Sequence, residues 1–224
     1  GNGDILEVDK LWYTTPVGDS NHTVTFGPKI ENYYMHATTP SIYEPVLKAF
    51  TLGGNAAGYG ASTSPGAGWA YTADNGFAIS SNITSKNPVL TDEAKQSWAT
   101  QIGYTQPNYS VSALVNMKYN GWTDSYFMTT DGKARSGDGN STNYALRAWW
   151  RPIDSSTAVP SISVGYDTSE TDASSNSNTT AYFVGLNWTD VINADDKIGL
   201  AFGQPQKVEG AVSYTHLRAH ETTS

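Results

Sequence analysis

The sequence predicts an all-β protein whose strands form an antiparallel transmembrane β-barrel. Three observations predict it: large apolar residues alternate with small or polar ones, connections between successive strands alternate in length, and aromatic residues bracket the apolar stretches. Side chains at alternate positions of a strand point to opposite faces, so each such strand has one apolar and one polar face. Lipid on the first face and water on the second would satisfy both.

The alternation is clearest in "TAYFVGLNW", residues 180–188, where Tyr182, Val184, Leu186 and Trp188 share one face. The same period recurs and predicts four hairpins, on whose apolar faces we find no charge. The first turns at Asp-Asn-Gly, a sequence that tolerates the positive φ angles of tight turns. The four hairpins join residues 66–84, 97–119, 143–167 and 180–204.

The connections between these hairpins are longer and more polar than most of those within them. They cover residues 85–96, 120–142 and 168–179. Transmembrane barrels have short periplasmic turns and longer extracellular loops, whereas a β-sandwich gives no reason for such alternation. The connection lengths therefore favour a barrel.

Aromatic residues bracket the apolar face of several strands, and they predict two interfacial belts. Rings with one polar atom prefer the boundary between hydrocarbon and water. A strand of ten residues at about 3.3 Å each, tilted by about 40°, spans roughly 25 Å, the height of an outer-membrane apolar band. The belt candidates are the pairs Trp98 and Tyr104, Tyr109 and Tyr119, Tyr144 and Trp150, and Tyr182 and Trp188.

Composition excludes several other classes of protein. The chain has 224 residues, a formal net charge of -8 and 0 Cys. An acidic chain is a poor partner for nucleic acid, because that binding rests on neutralising phosphates with Lys and Arg. Without cysteine there is no disulfide, thiolate metal site or cysteine nucleophile. The first ten residues lack the features of a signal peptide, so we expect an export signal upstream of them.

The last residues, "VSYTHLRAHETTS", break the alternation. His216 and His220 are four apart, a spacing that on a helix would suit zinc. However, "VSYTHLRAHET" resembles, residue for residue, a translated reading frame of a transposase adapter used in DNA sequencing libraries. We therefore divide the chain into a partial barrel domain, residues 1–211, and a non-native adapter-derived tail, residues 212–224.

Four segments carry a resemblance to a known family: "DKLWYTTPVGDS", "GPKIENYYMHATTPSIY", "FTLGGNAAGYGASTSPGAGWAY" and "YFVGLNWTDV…GLAFGQPQ". They resemble cyanobacterial outer-membrane porins related to the OprB carbohydrate-selective family, particularly those of marine picocyanobacteria. The resemblance implies an integral outer-membrane protein that lets sugars or inorganic ions, iron included, diffuse passively. It also implies a homotrimer, and attachment to the cell wall through an N-terminal domain absent from this sequence.

A pore performs no bond chemistry, and we expect no catalytic residues, no cofactor and no bound metal. His22 and His36 lack a partnered Ser or acid at a readable spacing, which suggests loop residues. Selectivity would come instead from side chains that line the channel. The pore-lining candidates on the polar face are Lys118, Arg147 and Asp167, as hydrated charges or simply as solvated rim residues, and Trp149, which could stack on a sugar ring.

Residues 38–64 lack clean alternation and contain a short helical possibility before a Gly-rich run. Such a long insertion could fold into the barrel and narrow it, with Glu44 and Lys48 as opposed charges. An ordinary surface loop is the alternative.

We read the sequence as about ten strands of a barrel of 16 to 18, the size that leaves an aqueous channel. The main alternative is a soluble extracellular β-sandwich, either carbohydrate-binding or an adhesin, since such domains share long loops and aromatic strand ends. The third hypothesis is an outer-membrane barrel hydrolase, but the sequence shows no recognisable arrangement of a Ser nucleophile and a His base.

Overall fold

The structure is a computed structural model that describes most of the chain. Side chains are described throughout the ranges below except at residues 56–57 and 218–222. The described residues are 7–18, 21–44, 50, 56–86, 89, 91–124, 139–153, 159–172, 178–191, 193, 196–208 and 218–222.

Eleven strands form a single sheet in which every strand pairs antiparallel with the next along the chain. The strands are β1 (Leu11–Pro16), β2 (His22–Ile30), β3 (Ser64–Thr72), β4 (Phe77–Ser85), β5 (Gln96–Gln106), β6 (Tyr109–Tyr119), β7 (Ser141–Trp150), β8 (Ser161–Thr171), β9 (Thr179–Thr189), β10 (Lys197–Val208) and β11 (Arg218–Thr222). Within the described residues the sheet is open, with β1 and β11 at its edges. An all-β antiparallel architecture is thus confirmed.

The four hairpins expected from the alternation are present as β3–β4, β5–β6, β7–β8 and β9–β10. Three further strands have no counterpart in the alternation. β2 alternates only over its first part, with Val24 and Phe26 on the outward parity, and its pairing with β1 contains a register shift near Tyr13. β11 lies inside the tail, where it pairs with the start of β10. An edge strand needs only backbone hydrogen bonds to one neighbour, so it can form without an amphipathic pattern.

The connections divide between two ends of the sheet, which we call the hairpin end and the loop end. The shortest connections, residues 73–76 and 107–108, lie at the hairpin end, and the longest, residues 31–63 and 120–140, lie at the loop end. The expected alternation is less strict than the sequence suggests. Because β8 continues to Thr171, its loop-end connection is residues 172–178, shorter than the hairpin-end connection before β8.

The two faces of the sheet differ sharply, and we call them outward and inward. The outward face carries exposed apolar and aromatic side chains, and Glu170, at the loop end of β8, is its one charge between β3 and the end of β9 in the described strands. The exposed outward residues include Trp69, Phe77, Trp98, Ile102, Tyr104, Tyr109, Val111, Met117, Tyr144, Leu146, Trp150, Val164, Tyr166, Val184 and Phe202.

The inward face is polar and yet buried. Its buried polar residues include Ser80, Asn82, Thr84, Ser97, Gln101, Ser110, Ser112, Asn116, Lys118, Asn143, Arg147, Ser163, Asp167, Ser169 and Thr179. Buried polar groups need hydrogen-bond partners. Many of the partners come from the connection between β2 and β3, residues 31–63, which we call the insert. It contains a short 3₁₀ helix, Asn32–Met35, and one turn of helix, α1 (Ala56–Tyr59).

Candidate functional site

The first part of the insert crosses the inward face from β4 to β9. Sheet side chains bond its backbone at successive positions. Ser80 Oγ accepts from Ala37 N at 3.1 Å, and Trp149 Nε1 donates to Thr39 O at 3.1 Å. The remaining contacts are Thr38 N to Gln101 Oε1 at 2.8 Å, Gln101 Nε2 to Thr38 O at 2.9 Å, Ile42 N to Ser163 Oγ at 3.1 Å and Glu44 N to Asn187 Oδ1 at 3.0 Å.

Asn32 holds the start of the insert against β4 and β5. Its side chain is fully buried; its Nδ2 donates to Asn82 Oδ1 at 2.8 Å, and its Oδ1 accepts from Thr84 Oγ1 at 2.8 Å. Gly60 lies directly against this amide and has a φ of +73°. A Cβ there would lie 2.6 Å from Asn32 Oδ1, so both the backbone conformation and the close approach require glycine.

Asp124, in the connection after β6, holds the end of the insert. Its carboxylate is fully buried. Oδ1 accepts from the backbone amides of Ala61 at 2.8 Å and Ser62 at 2.9 Å, while Oδ2 accepts from Lys118 Nζ and from Trp122 Nε1. One carboxylate thus joins the insert, β6 and the connection between β6 and β7.

Arg147 and Asp167 form a buried ion pair between β7 and β8. Arg147 Nη2 lies 3.0 Å and 2.8 Å from the two carboxylate oxygens, and Nη1 donates to Leu146 O at 2.8 Å. Tyr59 of α1 covers the guanidinium, whose carbon lies 5.0 Å from the ring centroid. The insert therefore encloses this pair and separates it from water.

An apolar contact fixes the middle of the insert on β9. Tyr43, Phe50, Phe183 and Ala201 form a buried cluster, with the rings of Phe50 and Phe183 stacked at 6.2 Å. Gly185 makes room for Tyr43, since a Cβ at that position would lie 2.5 Å from the tyrosine ring. Phe183 lies on the inward parity of β9, which in the sequence is mostly small or polar. It is the apolar side chain of β9 against which the insert packs.

His36, in the insert, is half-buried and packs against β4. Its imidazole is packed against Tyr59, and its ring nitrogens lie 3.2 Å from Tyr59 O and 3.3 Å from Asn82 Nδ2. Burial lowers the pKa of His36 from 6.5 to about 4, against a smaller opposing effect of the Tyr59 carbonyl. The imidazole is therefore neutral at pH 7.

We expect docking of the insert to weaken on acidification. Between pH 6.5 and about 4 the unfolded chain binds a proton on His36 that the folded chain does not. The free energy of unfolding is therefore retained above pH 6.5. It falls by about 2–3 kcal/mol as the pH drops from 6.5 to about 4. Chemical unfolding at several pH values measures the loss. The variant His36→Gln should flatten the slope between pH 6.5 and 4, and an unchanged slope would contradict the assignment.

The pore-lining candidates on the polar strands lie on the inward face, but the expectation that they are hydrated is wrong. Lys118 and Arg147 are each 3% exposed and Asp167 is 1% exposed, because the insert and Asp124 cover them. Trp149 is also buried, with its indole N–H bonded to Thr39 O and the Arg151 guanidinium 5.7 Å from its ring. It has no free ring face for a sugar while the insert is docked.

The charge pairing expected within the insert is also different. Glu44 is exposed and forms an ion pair with Lys197 Nζ at 3.0 Å, at the start of β10. Lys48 lies outside the described residues. Of the two readings of residues 38–64, the one in which they fold against the inward face agrees with the described part of that segment.

The belt candidates separate by position along the strands. Trp98, Tyr119, Tyr144 and Tyr182 lie toward the loop end, and Tyr104, Tyr109, Trp150 and Trp188 lie toward the hairpin end. Five of the eight are exposed, and Tyr119, Tyr182 and Trp188 are half-buried. Their contact with a membrane interface stays a prediction.

The histidines outside the tail have packing roles. His22, at the start of β2, accepts a hydrogen bond from Trp69 Nε1 at 3.1 Å and lies against Tyr71. Among the residues that the structure describes, no three His, Asp or Glu side chains are grouped as metal ligands. The side chains of His216 and His220 lie outside that set.

Comparison with protein-family models, curated proteins and solved structures gives no match for this chain. The resemblance to cyanobacterial porins therefore stays a prediction. In the described part of the chain, neither short helical segment has the length and apolar character needed to cross a bilayer.

Proposed function

We propose that this chain is part of an outer-membrane porin through which small hydrophilic solutes, sugars or inorganic ions including iron, diffuse passively. The observation that carries the proposal is the distribution of polarity across the sheet: exposed apolar side chains outside and buried polar side chains inside. This is the reverse of a water-soluble sheet, whose apolar face packs against a core. Lipid is the solvent that such an outward face suits.

The size of the outward apolar surface supports this choice. It extends over β3 to β10, and single residues such as Ile102, Leu146 and Tyr166 are 48%, 59% and 50% exposed. Soluble monomers rarely expose contiguous apolar patches beyond a few hundred Å². A soluble carbohydrate-binding sandwich or adhesin would need a second sheet over these side chains, and no described residue supplies one.

The insert then narrows the channel from within. With the adapter-derived tail that forms β11 set aside, β1 and β10 are the edges where further strands would pair to close the barrel, and closed barrels of 16 to 18 strands leave an aqueous lumen. Exposed residues of the insert, such as Thr39 and Glu44, would border the solute path. The homotrimer and the attachment to the cell wall remain part of this proposal.

A charge placed on the outward face should prevent membrane insertion. We expect Leu146→Lys to cost about 2–4 kcal/mol of insertion free energy, because position 146 lies midway along β7 and a lysine near the midplane of the bilayer is poorly solvated. Co-flotation of the refolded chain with liposomes measures this. The control is Asp74→Lys in the exposed β3–β4 turn, which should insert normally. Equal flotation of both variants would contradict a lipid-facing β7.

Planar-bilayer recording of the full-length protein of which this chain is a part tests the function itself. We expect stepwise conductance, with ion selectivity measured from reversal potentials and sugars tested as blockers. A chain that is monodisperse in buffer without detergent and gives no conductance would instead favour the soluble β-sandwich.

A further inference from the structure

Lys86 is a positively charged residue at the loop end that the strand pattern alone does not single out. It follows β4 directly, and its position continues the inward parity of Asn82 and Thr84. Its backbone N–H donates to Lys95 O at 2.9 Å, which extends the pairing of β4 with β5 by one step. The residue is half-buried. Lys86 therefore lies where the inward face meets the loops.

The connection after β6 fixes the position of the Lys86 ammonium. Nζ lies 4.6 Å from the centroid of the Trp122 ring and 3.4 Å from Thr123 O. Trp122 is itself buried, and its Nε1 donates to Asp124 Oδ2 at 3.2 Å. A cation over the face of an indole is attracted by the ring and keeps its charge. These contacts restrict a long side chain, so the charge has a defined place.

Asp124 does not neutralise this ammonium. Its two oxygens already accept hydrogen bonds from two backbone amides of the insert, from Trp122 and from Lys118, which is its ion-pair partner. Among the described side chains, no carboxylate lies within ion-pair distance of Lys86. The pore-lining candidate Lys118 is therefore matched by a negative charge, whereas Lys86 is not.

Positive charge exceeds negative charge around Lys86. Burial lowers its pKa; Asp124 opposes this shift, and Lys95 and Lys118 add to it. Two lysines and one aspartate thus act on this ammonium. The acidic residues of the same connection, residues 92–93, are exposed and form no described ion pair with these lysines. Lysines that are neutral near pH 7 are fully buried ones, so half-buried Lys86 is charged there.

We propose that Lys86 is a specificity-determining residue of the channel, an unmatched positive charge at its loop end that favours small anions over cations. This inference deepens the proposed function and rests on it. A charge fixed at the opening of a channel raises the local concentration of ions of opposite sign and lowers that of ions of like sign. Chloride and phosphate are anions of this class, and neutral sugars would pass unaffected. Because the chain as a whole is acidic, with a formal net charge of -8, the preference has to come from this local charge.

Reversal potentials of the full-length protein, recorded in a planar bilayer under a potassium chloride gradient, measure the effect. Lys86→Met should lower the ratio of chloride to potassium permeability by about twofold or more, since methionine packs against Trp122 without a charge. Lys86→Arg, which keeps the charge and the ring contact, should resemble the unmodified protein. The matched control is Lys29→Met on β2, because Lys29 has the opposite parity to inward-facing Ile30 and donates to Val8 O at 2.6 Å. It should leave the ratio unchanged.

A second measurement needs no bilayer. Since the chain has 0 Cys, Thr123→Cys places a single thiol beside the Lys86 ammonium. In detergent, its rate of reaction with the anionic reagent sulfonatoethyl methanethiosulfonate, divided by the rate with the cationic trimethylammonioethyl analogue, reports the local potential. Adding Lys86→Met should lower this ratio by about threefold at physiological ionic strength, and by less at about 1 M salt. Adding Lys29→Met should not change it.

The outcomes separate this inference from the proposed function. If the full-length protein conducts but Lys86→Met changes neither the reversal potential nor the reagent ratio, the channel stands and the role of Lys86 is refuted. An equal loss of selectivity in Lys86→Met and Lys86→Arg would assign the residue to packing against Trp122 and overturn the inference. If no variant conducts, the porin and its selectivity both fall, and the reagent ratio still decides whether Lys86 makes the loop end electropositive. Lys86→Gln replaces Lys86→Met if that variant does not fold.

Discussion

Replacing Arg147 with alanine should destabilise the protein by about 3–5 kcal/mol. The Asp167 carboxylate accepts two hydrogen bonds from this guanidinium, and both side chains are nearly fully buried. Arg147→Ala would therefore leave a carboxylate without its cation in a region that excludes water. Chemical unfolding in the detergent or buffer that keeps the chain monodisperse measures the loss.

A matched double variant separates the loss of a partner from the loss of the pair. Arg147→Met with Asp167→Leu removes both charges at similar volume, and replacing a buried ion pair in this way is often neutral or stabilising. We expect it to recover most of the lost stability. Arg151→Ala, which removes an exposed arginine at the hairpin end, should cost less than about 1 kcal/mol. If the double variant is as unstable as Arg147→Ala, the loss of stability does not come from leaving the Asp167 carboxylate unpaired.

The same double variant tests whether these charges select solutes. A paired, buried arginine and aspartate have no net charge and little contact with the channel water. We therefore expect the ion selectivity of Arg147→Met with Asp167→Leu to resemble that of the unmodified channel. A clear change in reversal potential would instead support the sequence-based interpretation of hydrated pore-lining charges.

Replacing Asp124 with alanine should release the end of the insert. The change removes the acceptor of two backbone amides and the carboxylate beside buried Lys118, which together we expect to cost about 3–5 kcal/mol of docking free energy. Hydrogen exchange of the Ala61 and Ser62 amides should accelerate. If the insert narrows a channel, single-channel conductance should also rise.

Asparagine at this position is the control for charge. Asp124→Asn keeps an oxygen acceptor for the Ala61 and Ser62 amides while removing the negative charge near Lys118. It should therefore protect those amides better than alanine does. If the two amides exchange equally fast in both variants, the ion pair alone holds the insert. If they stay protected in both variants, Asp124 does not hold it.

The alternation of large and small residues was enough to predict most of the sheet. Hairpin partners follow one another along the chain, so period two and turn residues determine their pairing locally. β1 and β2 were not identified, because they are separated from the next strand by a long insert and the alternation in β2 is short, and β11 was not identified because an edge strand pairs through its backbone alone. The parity also placed Lys118, Arg147 and Asp167 on the face opposite the aromatic residues, where they lie.

What covers that face could not be predicted from the strands. The insert is long and Gly-rich, without a periodic pattern, and its contacts with the sheet reach across more than 100 residues of chain, as from Thr39 to Trp149 and from Ile42 to Ser163. Such contacts depend on where the sheet brings distant residues together, which no local pattern records. A signal was present in Phe183, a large apolar ring on a parity that is otherwise small or polar.

The sequence by itself determined the β architecture, the order of the hairpins and the division into an apolar and a polar face, because each follows from side chains close together in the chain. Only the tertiary structure decided that the polar side chains are buried, that Arg147 neutralises Asp167, and that sheet side chains from Ser80 to Asn187 bond the backbone of residues 37–44. These depend on long-range burial: a charged or hydrogen-bonding side chain on a strand has the same local pattern whether water or another segment covers it.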